Sequence, residues 1–343
     1  MITTILTPID GSVHARAALD LSLDLAKEYN AKLILLHVGM RDRNVPEDLY
    51  ETASRELTQA EERGEETGIH PHPYRHIRVM EYLGHTLVRD AKKAADSRGI
   101  KTSEAVVDFG DAGERILHHA KRASADLIVM GSRGHSELEG LFLGSVSHKV
   151  FHLSPCSCIT VHQTDGKLGF EGLNTIVVAT DGSEHAAKAI DLASDLAARC
   201  SAKLILLHSL RGDSSVAQIR AAVGMERLSA TTRQELERAE QAIEPGFGAG
   251  FKVPELSTAA LKEIGEHILA RGERAAKERN VQNVELRLTD EDAASAVLST
   301  ARNEHADLIA VGSRGLGEVE GLLIGSVSYK VNHAAPCNCL AVH

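Results

Sequence analysis

The chain has 343 residues, 43% of them apolar and 25% charged, with no Trp and a formal net charge of −10. That is an ordinary globular composition, long enough for about two domains. The acidic balance argues against a general binder of nucleic acid or of an anionic membrane.

In chain order, "ITTILTPI" is an apolar run that reads as a buried strand. "DGSVHARAALDLSLDLAKEY" follows as a helix, with Ser12 placed to cap it and Ala18, Leu21 and Leu25 on one face. "KLILLHV" is apolar without alternation, as expected of a parallel strand covered on both sides. "DLYETASRELTQAEERGEETG" is polar and helical, which predicts a solvated helix or lid. "IHPHPYRHI" (69–77) is His-rich, but its prolines break helix and no complementary acid is near in sequence, so it reads as a solvated loop. A second helix, "RVMEYLGHTLVRDAKKAADSRG", ends at Gly99. "SEAVVDFG" and "ADLIVMG" are strands around the helix "AGERILHHAKRAS". The alternation of strands and helices implies a parallel sheet with right-handed crossovers, and such sheets bind ligands at the carboxyl ends of their strands.

The whole pattern then recurs. "AKLILLH" appears at 31–37 and 202–208, and "ADLIVMGSRG" at 125–134 answers "ADLIAVGSRG" at 306–315. "PCSCITVH" (155–162) answers "PCNCLAVH" (336–343), and "PIDGS" (8–12) answers "ATDGS" (179–183). Early matches lie 171 residues apart (His37 to His208) and late ones 181 (Gly131 to Gly312), so the second copy carries ten extra residues before about Gly265. The Gly- and Pro-rich "EPGFGAGFKVPE" (244–255) is the expected place. A period this long is a duplicated domain, not a solenoid. We expect domains at 1–163 and 172–343, joined by the polar "QTDGKLGFEG" (163–172).

Each copy holds glycines spaced G-x-x-G, nine residues, then G-S: Gly131, Gly134, Gly144 and Ser145, then Gly312, Gly315, Gly325 and Ser326. Each set leaves an apolar strand and opens a short helix, whose Val146, Val150 and Leu153 are spaced for one buried face. Glycines let the backbone come close to a ligand and turn with positive φ, and open amides at a helix start favour phosphate. The alternative is a set of plain turns, and the duplication itself is only partly independent support. No G-x-x-x-x-G-K-[ST] is present, so fast phosphoryl transfer lacks a lysine from such a loop. Arg133 and Arg314 stand inside the loops, as phosphate partners or as solvated charges. Asp10 and Asp181 suit either a helix cap or a ribose or Mg²⁺ ligand.

These motifs resemble the universal stress protein (UspA) family, and nearly all of the chain resembles a tandem member. The glycine loop resembles its ATP-binding branch. The resemblance implies two Rossmann-like α/β domains, each with a five-stranded parallel sheet of order 3-2-1-4-5 flanked by helices. It also implies ATP, or ADP or AMP, as ligand, with Mg²⁺. Carried over, Pro8, Ile9 and Asp10 resemble the segment meeting adenine and ribose, and Val38 the adenine contact. Met130, Gly131, Gly134, Gly144, Ser145 and Val146 resemble the phosphate and ribose loop. The second copy offers Thr180, Asp181, Val311, Gly312, Gly315, Gly325, Ser326 and Val327. There Ala179 replaces Pro8 and Ser209 replaces Val38, while "LTDEDAASA" loses Gly110 and Gly113. The first copy is therefore expected to be the better nucleotide site.

The leading expectation is a nucleotide-binding regulator of stress response, read by a protein partner, with two copies forming an internal pseudo-dimer and a further homodimer left open. No catalytic residue is assigned. One alternative is a slow Mg-dependent ATPase. Another is a metal or redox scaffold on the C-x-C-x-x-x-H strands, where Cys156, Cys158 and His162 share a face, as do Cys337, Cys339 and His343. C-x-C is not a usual zinc spacing, so no metal ligand is assigned. "MITTILTPIDGS" lacks the features of a secretory signal, no window approaches 18 continuous apolar residues, and five Cys make no disulfide framework. The expected setting is the cytoplasm, with no membrane or nucleic-acid partner.

Overall fold

A computed structural model describes residues 2–39, 45–135, 143–162, 172–211, 216–241, 256–314 and 325–343. The chain divides into unit one, Met1–Phe170, and unit two, Glu171–His343.

Unit one runs β1 (Thr4–Pro8), α1 (Val13–Tyr29), β2 (Lys32–Gly39), α2 (Glu47–Glu62), α3 (Arg75–Ser97), β3 (Ser103–Phe109), α4 (Ala112–Arg122), β4 (Leu127–Gly131), α5 (Ser145–Leu153) and β5 (Ser157–Val161). Its strands are all parallel, in the order β3-β2-β1-β4-β5. Unit two runs β6 (Thr175–Ala179), α6 (Glu184–Cys200), β7 (Lys203–Arg211), α7 (Val216–Val223), a single 3₁₀ turn, α8 (Ala230–Gln241), α9 (Thr258–Glu278), β8 (Val284–Asp292), α10 (Ala293–Asn303), β9 (Leu308–Gly312), α11 (Ser326–Ala334) and β10 (Asn338–Val342). Its order is β8-β7-β6-β9-β10, again all parallel. Each unit is thus a doubly wound α/β domain of order 3-2-1-4-5.

The core follows from composition. Without Trp, the centre is built from Leu, Ile, Val and Ala, and Leu33, Leu35, Leu36, Ile128 and Val129 are essentially without exposure. Caps repeat between the units. The Ser12 hydroxyl accepts from the Ala15 amide at 3.2 Å, and Ser183 does the same for Ala186 at 3.1 Å. At the far end of the sheet Asp126 accepts from the Thr3 and Thr4 amides, at 2.7 and 3.0 Å, fixing the start of β1 beside β4. Asp307 does this for Asn174 and Thr175 at 2.8 and 3.0 Å.

Four local expectations are corrected. The polar helix α2 is not merely solvated: Ala53 and Leu57 are buried against Val79, Tyr82 and Leu83 of α3. Its apolar positions are few but share one face, which is enough to dock it. In α5 the buried residues are Ser147, Val150 and Phe151, and Leu153 is 44% exposed. In the His-rich segment helix begins at Arg75, just past the prolines, and an acid is present. The buried Glu81 accepts from His70 Nδ1 at 2.6 Å and from the His70 amide at 3.2 Å, so a charge inside a helix face is satisfied by a loop lying over it. Finally, unit two adds helix α7 before α8, so its extra length is not confined to the expected segment; residues 242–255 and the linker 163–171 lie outside the described residues.

Candidate functional site

In unit one the carboxyl ends of β1, β2 and β4 open into a cavity of about 510 Å³. This is where the strand order reverses direction, between β1 and β4, the usual place for a ligand in an open parallel sheet. Pro8, Ile9, Asp10, Val38, Met130, Gly131, Gly134, Gly144, Ser145 and Val146 all line it. The structure therefore gathers the ten residues singled out in the first copy around one space.

The glycine loop works by close approach. A Cβ on Gly131 would lie 2.8 Å from the carbonyl carbon of His14 and 2.9 Å from the Ala15 amide, so β4 touches the start of α1 only because that Cβ is missing. A Cβ on Gly134 would sit 2.7 Å from a carboxylate oxygen of Asp10. The expectation of positive φ is corrected here: Gly144 has φ −76°, and the positive-φ glycine beside the site is Gly11, at φ 87°, in the turn from β1 into α1. Gly144 begins α5 with no side-chain cap, while its own amide donates to the Ser132 carbonyl at 2.8 Å. The Ser147 hydroxyl donates to the same carbonyl at 2.6 Å. A helix start left without a capping side chain at the wall of a cavity is a ready anion site.

Asp10 is not the helix cap, since Ser12 takes that role. One Asp10 oxygen accepts from the Ser12 amide at 2.9 Å. The second oxygen points toward Gly134, as the clash above shows. Two histidines missed at the sequence level are bound to this turn. His37 Nδ1 donates to the Ile9 carbonyl at 2.8 Å, and His135 Nε2 donates to the Asp10 carbonyl at 2.7 Å. His37 is buried, and burial, opposed by that hydrogen bond, pulls its pKa below the usual value. The signal was present in the sequence, because "LILLH" is the longest literal match between the copies and ends in this residue. Met80 from α3 and Ala112 and Ile116 from α4 complete an apolar wall that no motif had marked.

Unit two has the counterpart cavity, smaller at about 290 Å³. Thr180, Asp181, Val311, Gly312, Gly325, Ser326 and Val327 line it, and Gly315 lies outside the described residues. The glycine-loop end has the same geometry: a Cβ on Gly312 would lie 2.7 Å from the His185 carbonyl carbon, and Gly325 starts α11 with no side-chain cap. The opposite wall differs. Ser209, in the place of Val38, donates its hydroxyl to the Glu291 carbonyl at 2.6 Å. Strands β7 and β8 continue to Arg211 and Asp292, which pair beyond an irregularity in register. Arg211, Asp292 and Ile219 of α7 line the space.

The cysteine strands hold no metal constellation: among the described residues no three His, Cys, Asp or Glu are placed around one ion. Burial pushes the Cys156 thiol up to about 11 and that of Cys337 up to about 12, and raises Cys158 further. Thiolates, the species needed for metal binding or redox attack, are disfavoured there. Among the described residues no helix is long and apolar enough to cross a membrane.

Comparison with known proteins gives a consistent result. The chain matches the universal stress protein family profile twice, over residues 1–162 and 172–343. It is 36% identical over 165 residues to the universal stress protein YxiE of Bacillus subtilis, covering 47% of this chain and 99% of that protein. It is 25% identical over 263 residues to the universal stress protein Rv2623 of Mycobacterium tuberculosis, covering 76% of each. A universal stress protein structure from Archaeoglobus fulgidus aligns over 99% of this chain and 97% of its own, with 20% identity and a TM-score of 0.57, a likeness of fold.

Proposed function

Because the chain belongs to the universal stress protein family through both of its units, we propose that unit one binds an adenine nucleotide and that this occupancy regulates a stress response through a protein partner. The observation that carries the reading is the single cavity of about 510 Å³ around all ten residues. It is large enough for a nucleotide, given that small-molecule pockets span about 300–1,000 Å³. Its parts divide by chemistry. The uncapped start of α5, with Gly131, Gly134 and Gly144, is suited to phosphate oxygens. Asp10 is suited to a ribose hydroxyl, and Val38 with Met80 and Ile116 to a flat apolar base. Mg²⁺ would arrive with the phosphates as its principal ligands, since the protein offers it one carboxylate at most.

The same lining argues against efficient hydrolysis. Arg133 is the one Lys or Arg among the described lining residues, and no Lys faces the space. Asp10 holds the Ser12 amide, and the two histidines hold backbone carbonyls. Among the described lining residues the one carboxylate, Asp10, has one oxygen committed to the Ser12 amide, and phosphoryl transfer without added positive charge is slow.

Native mass spectrometry of freshly purified protein, followed by identification of any released nucleotide, tests the reading. One adenine nucleotide per chain is expected. Protein that takes up none from millimolar Mg-ATP would reduce the unit one cavity to a packing feature. Released ADP in place of ATP, with turnover abolished by Asp10→Ala, would favour the ATPase reading instead.

A further inference from the structure

We propose that the cavity of unit two is a site for a small phosphate-type anion without a nucleobase, held by Arg211, Arg314 and Lys330. The proposal shares with unit one the reading of the glycine loop as a phosphate cradle, but assigns unit two a different ligand class.

Charge is the first argument. Arg211, Arg314 and Lys330 line the cavity, and none of them forms an ion pair among the described residues. The two carboxylates in the lining are already engaged with local donors. Asp181 accepts from the Ser183 amide at 2.9 Å. Asp292 caps α10, accepting from the Ser295 amide at 3.1 Å and its hydroxyl at 3.2 Å. Three cations face two carboxylates in this lining, and Lys330 acts on Asp292, so the lining carries an excess of positive charge that, together with the uncapped start of α11, favours an oxyanion.

Two residue differences bear on where the lysine lies: Ala294 stands for Gly113, and Ser295 for Glu114. In unit one the lysine equivalent to Lys330 is Lys149, which lies outside the cavity lining and pairs with Asp111 and Glu114, both at 3.0 Å. Its stem crosses Gly113, where a Cβ would come within 2.7 Å of Lys149 Cδ. Unit two has Ala294 at that position, buried and carrying that Cβ. The Ala294 methyl narrows the path used by Lys149, one of that lysine's two partners is replaced by Ser295, and Lys330 lines the cavity.

Space is the third argument. The volume of about 290 Å³ falls at the floor of the range for small-molecule sites. What has been lost is the base end, where unit one has Val38, Gly39, Val45 and Pro46. In unit two the extended pair β7 and β8 and the added helix α7 stand there, bringing Arg211, Asp292 and Ile219. A base would have to displace backbone-paired strand residues, whereas a diphosphate needs only the cationic end.

The test is isothermal titration of the full chain with inorganic pyrophosphate, with and without saturating Mg-ATP. With saturating Mg-ATP in unit one, one pyrophosphate per chain is expected; without ATP a second can enter the glycine-loop end of unit one. Lys330→Gln and Arg211→Gln should each weaken it by about tenfold, the scale of one charge-assisted contact, while ATP binding stays unchanged. Gly144→Val should lose ATP and keep pyrophosphate. Circular dichroism of each variant checks that it is folded. Two ATP per chain, or no pyrophosphate binding at millimolar concentration, would overturn the proposal. So would pyrophosphate binding that disappears in Gly144→Val yet survives in Lys330→Gln, since the ligand would then belong to unit one. Pyrophosphate bound as described, with no ATP bound at all, would support the proposal and overturn only the nucleotide reading of unit one.

Discussion

The two units share one end of their cavities and differ at the other. At the glycine-loop end Gly131 and Gly312 press against the start of the first helix of their unit, α1 and α6, Gly144 and Gly325 each start a helix with no side-chain cap, and the amides of Gly144 and Gly325 donate to a strand-end serine carbonyl at 2.8 Å. His37 and His208 make the same bond, each donating to the carbonyl after the first strand at 2.8 Å. At the other end of its own cavity unit one has an apolar wall, and unit two has Ser209, Arg211 and Asp292 in its cavity. The shared end is tied into backbone packing, so it serves the fold whatever the ligand. The divergent end is built from different side chains and from the longer pair of strands β7 and β8.

The sharpest way to break this comparison is to attack the shared end in both units. Gly131→Val and Gly312→Val place methyl groups where even a Cβ would meet backbone at 2.8 and 2.7 Å. Each should cost about 3 kcal/mol in urea unfolding, the upper end of overpacking penalties. If only one of the pair is destabilised, the two loops are not equivalent. Next in size is Ala294→Gly, which reopens in unit two the path that Lys149 follows in unit one. Lys330 should swing toward Asp292, and pyrophosphate affinity should fall by about threefold, less than full loss of the charge. Unchanged affinity would show that Ala294 does not direct the lysine.

Much of this was legible in the sequence, and the reason is physical. Buried parallel strands are written as unbroken apolar runs, so "KLILLHV" and "ADLIVMG" announced β2 and β4, and the repeat supplied the boundaries. At Gly131 and Gly312 the spacing marked places where the backbone comes too close to a neighbouring helix to admit a Cβ. The apolar wall was not legible: Met80, Ala112 and Ile116 come from helices whose sequence contains nothing but an ordinary buried face. Nor was the place of Lys330 in the cavity lining, since the aligned Lys149 lies outside its own. The pairing of His70 with Glu81 was missed because it joins a loop to a helix eleven residues on, a separation no local pattern encodes.

A smaller effect distinguishes the units by acid sensitivity. Burial lowers the pKa of both His37 and His208 from the model-compound value of 6.5, against the raising effect of their carbonyl bonds. An aspartate raises each of them, Asp10 at His37 and Asp181 at His208, but His37 alone is also lowered by the neighbouring His85 and His135. A histidine held neutral in the fold contributes stability that is present above the unfolded pKa and lost as pH falls through the lowered folded value. Stability should therefore decline below about pH 6.5. His37→Gln should flatten that decline more than His208→Gln does, as read from melting temperatures across the acid range. Equal flattening would mean that the flanking histidines do not matter.

The smallest expected difference lies on the sheet surface, away from both cavities. Lys32 in unit one pairs with Glu104 at 2.8 Å. Lys203, its counterpart, pairs with Glu285 at 2.6 Å and Glu304 at 2.9 Å, and Arg287 joins both acids. Isolated surface pairs contribute little, because water screens them and two long side chains must be held still, but a network shares that ordering among several bonds. Lys203→Met should lower the urea midpoint more than Lys32→Met. Both losses should shrink in about 1 M salt, where the screening length falls to about 3 Å. A larger loss at Lys32, or losses that ignore salt, would show that the stems of these lysines, packed along the strands, matter more than their charges.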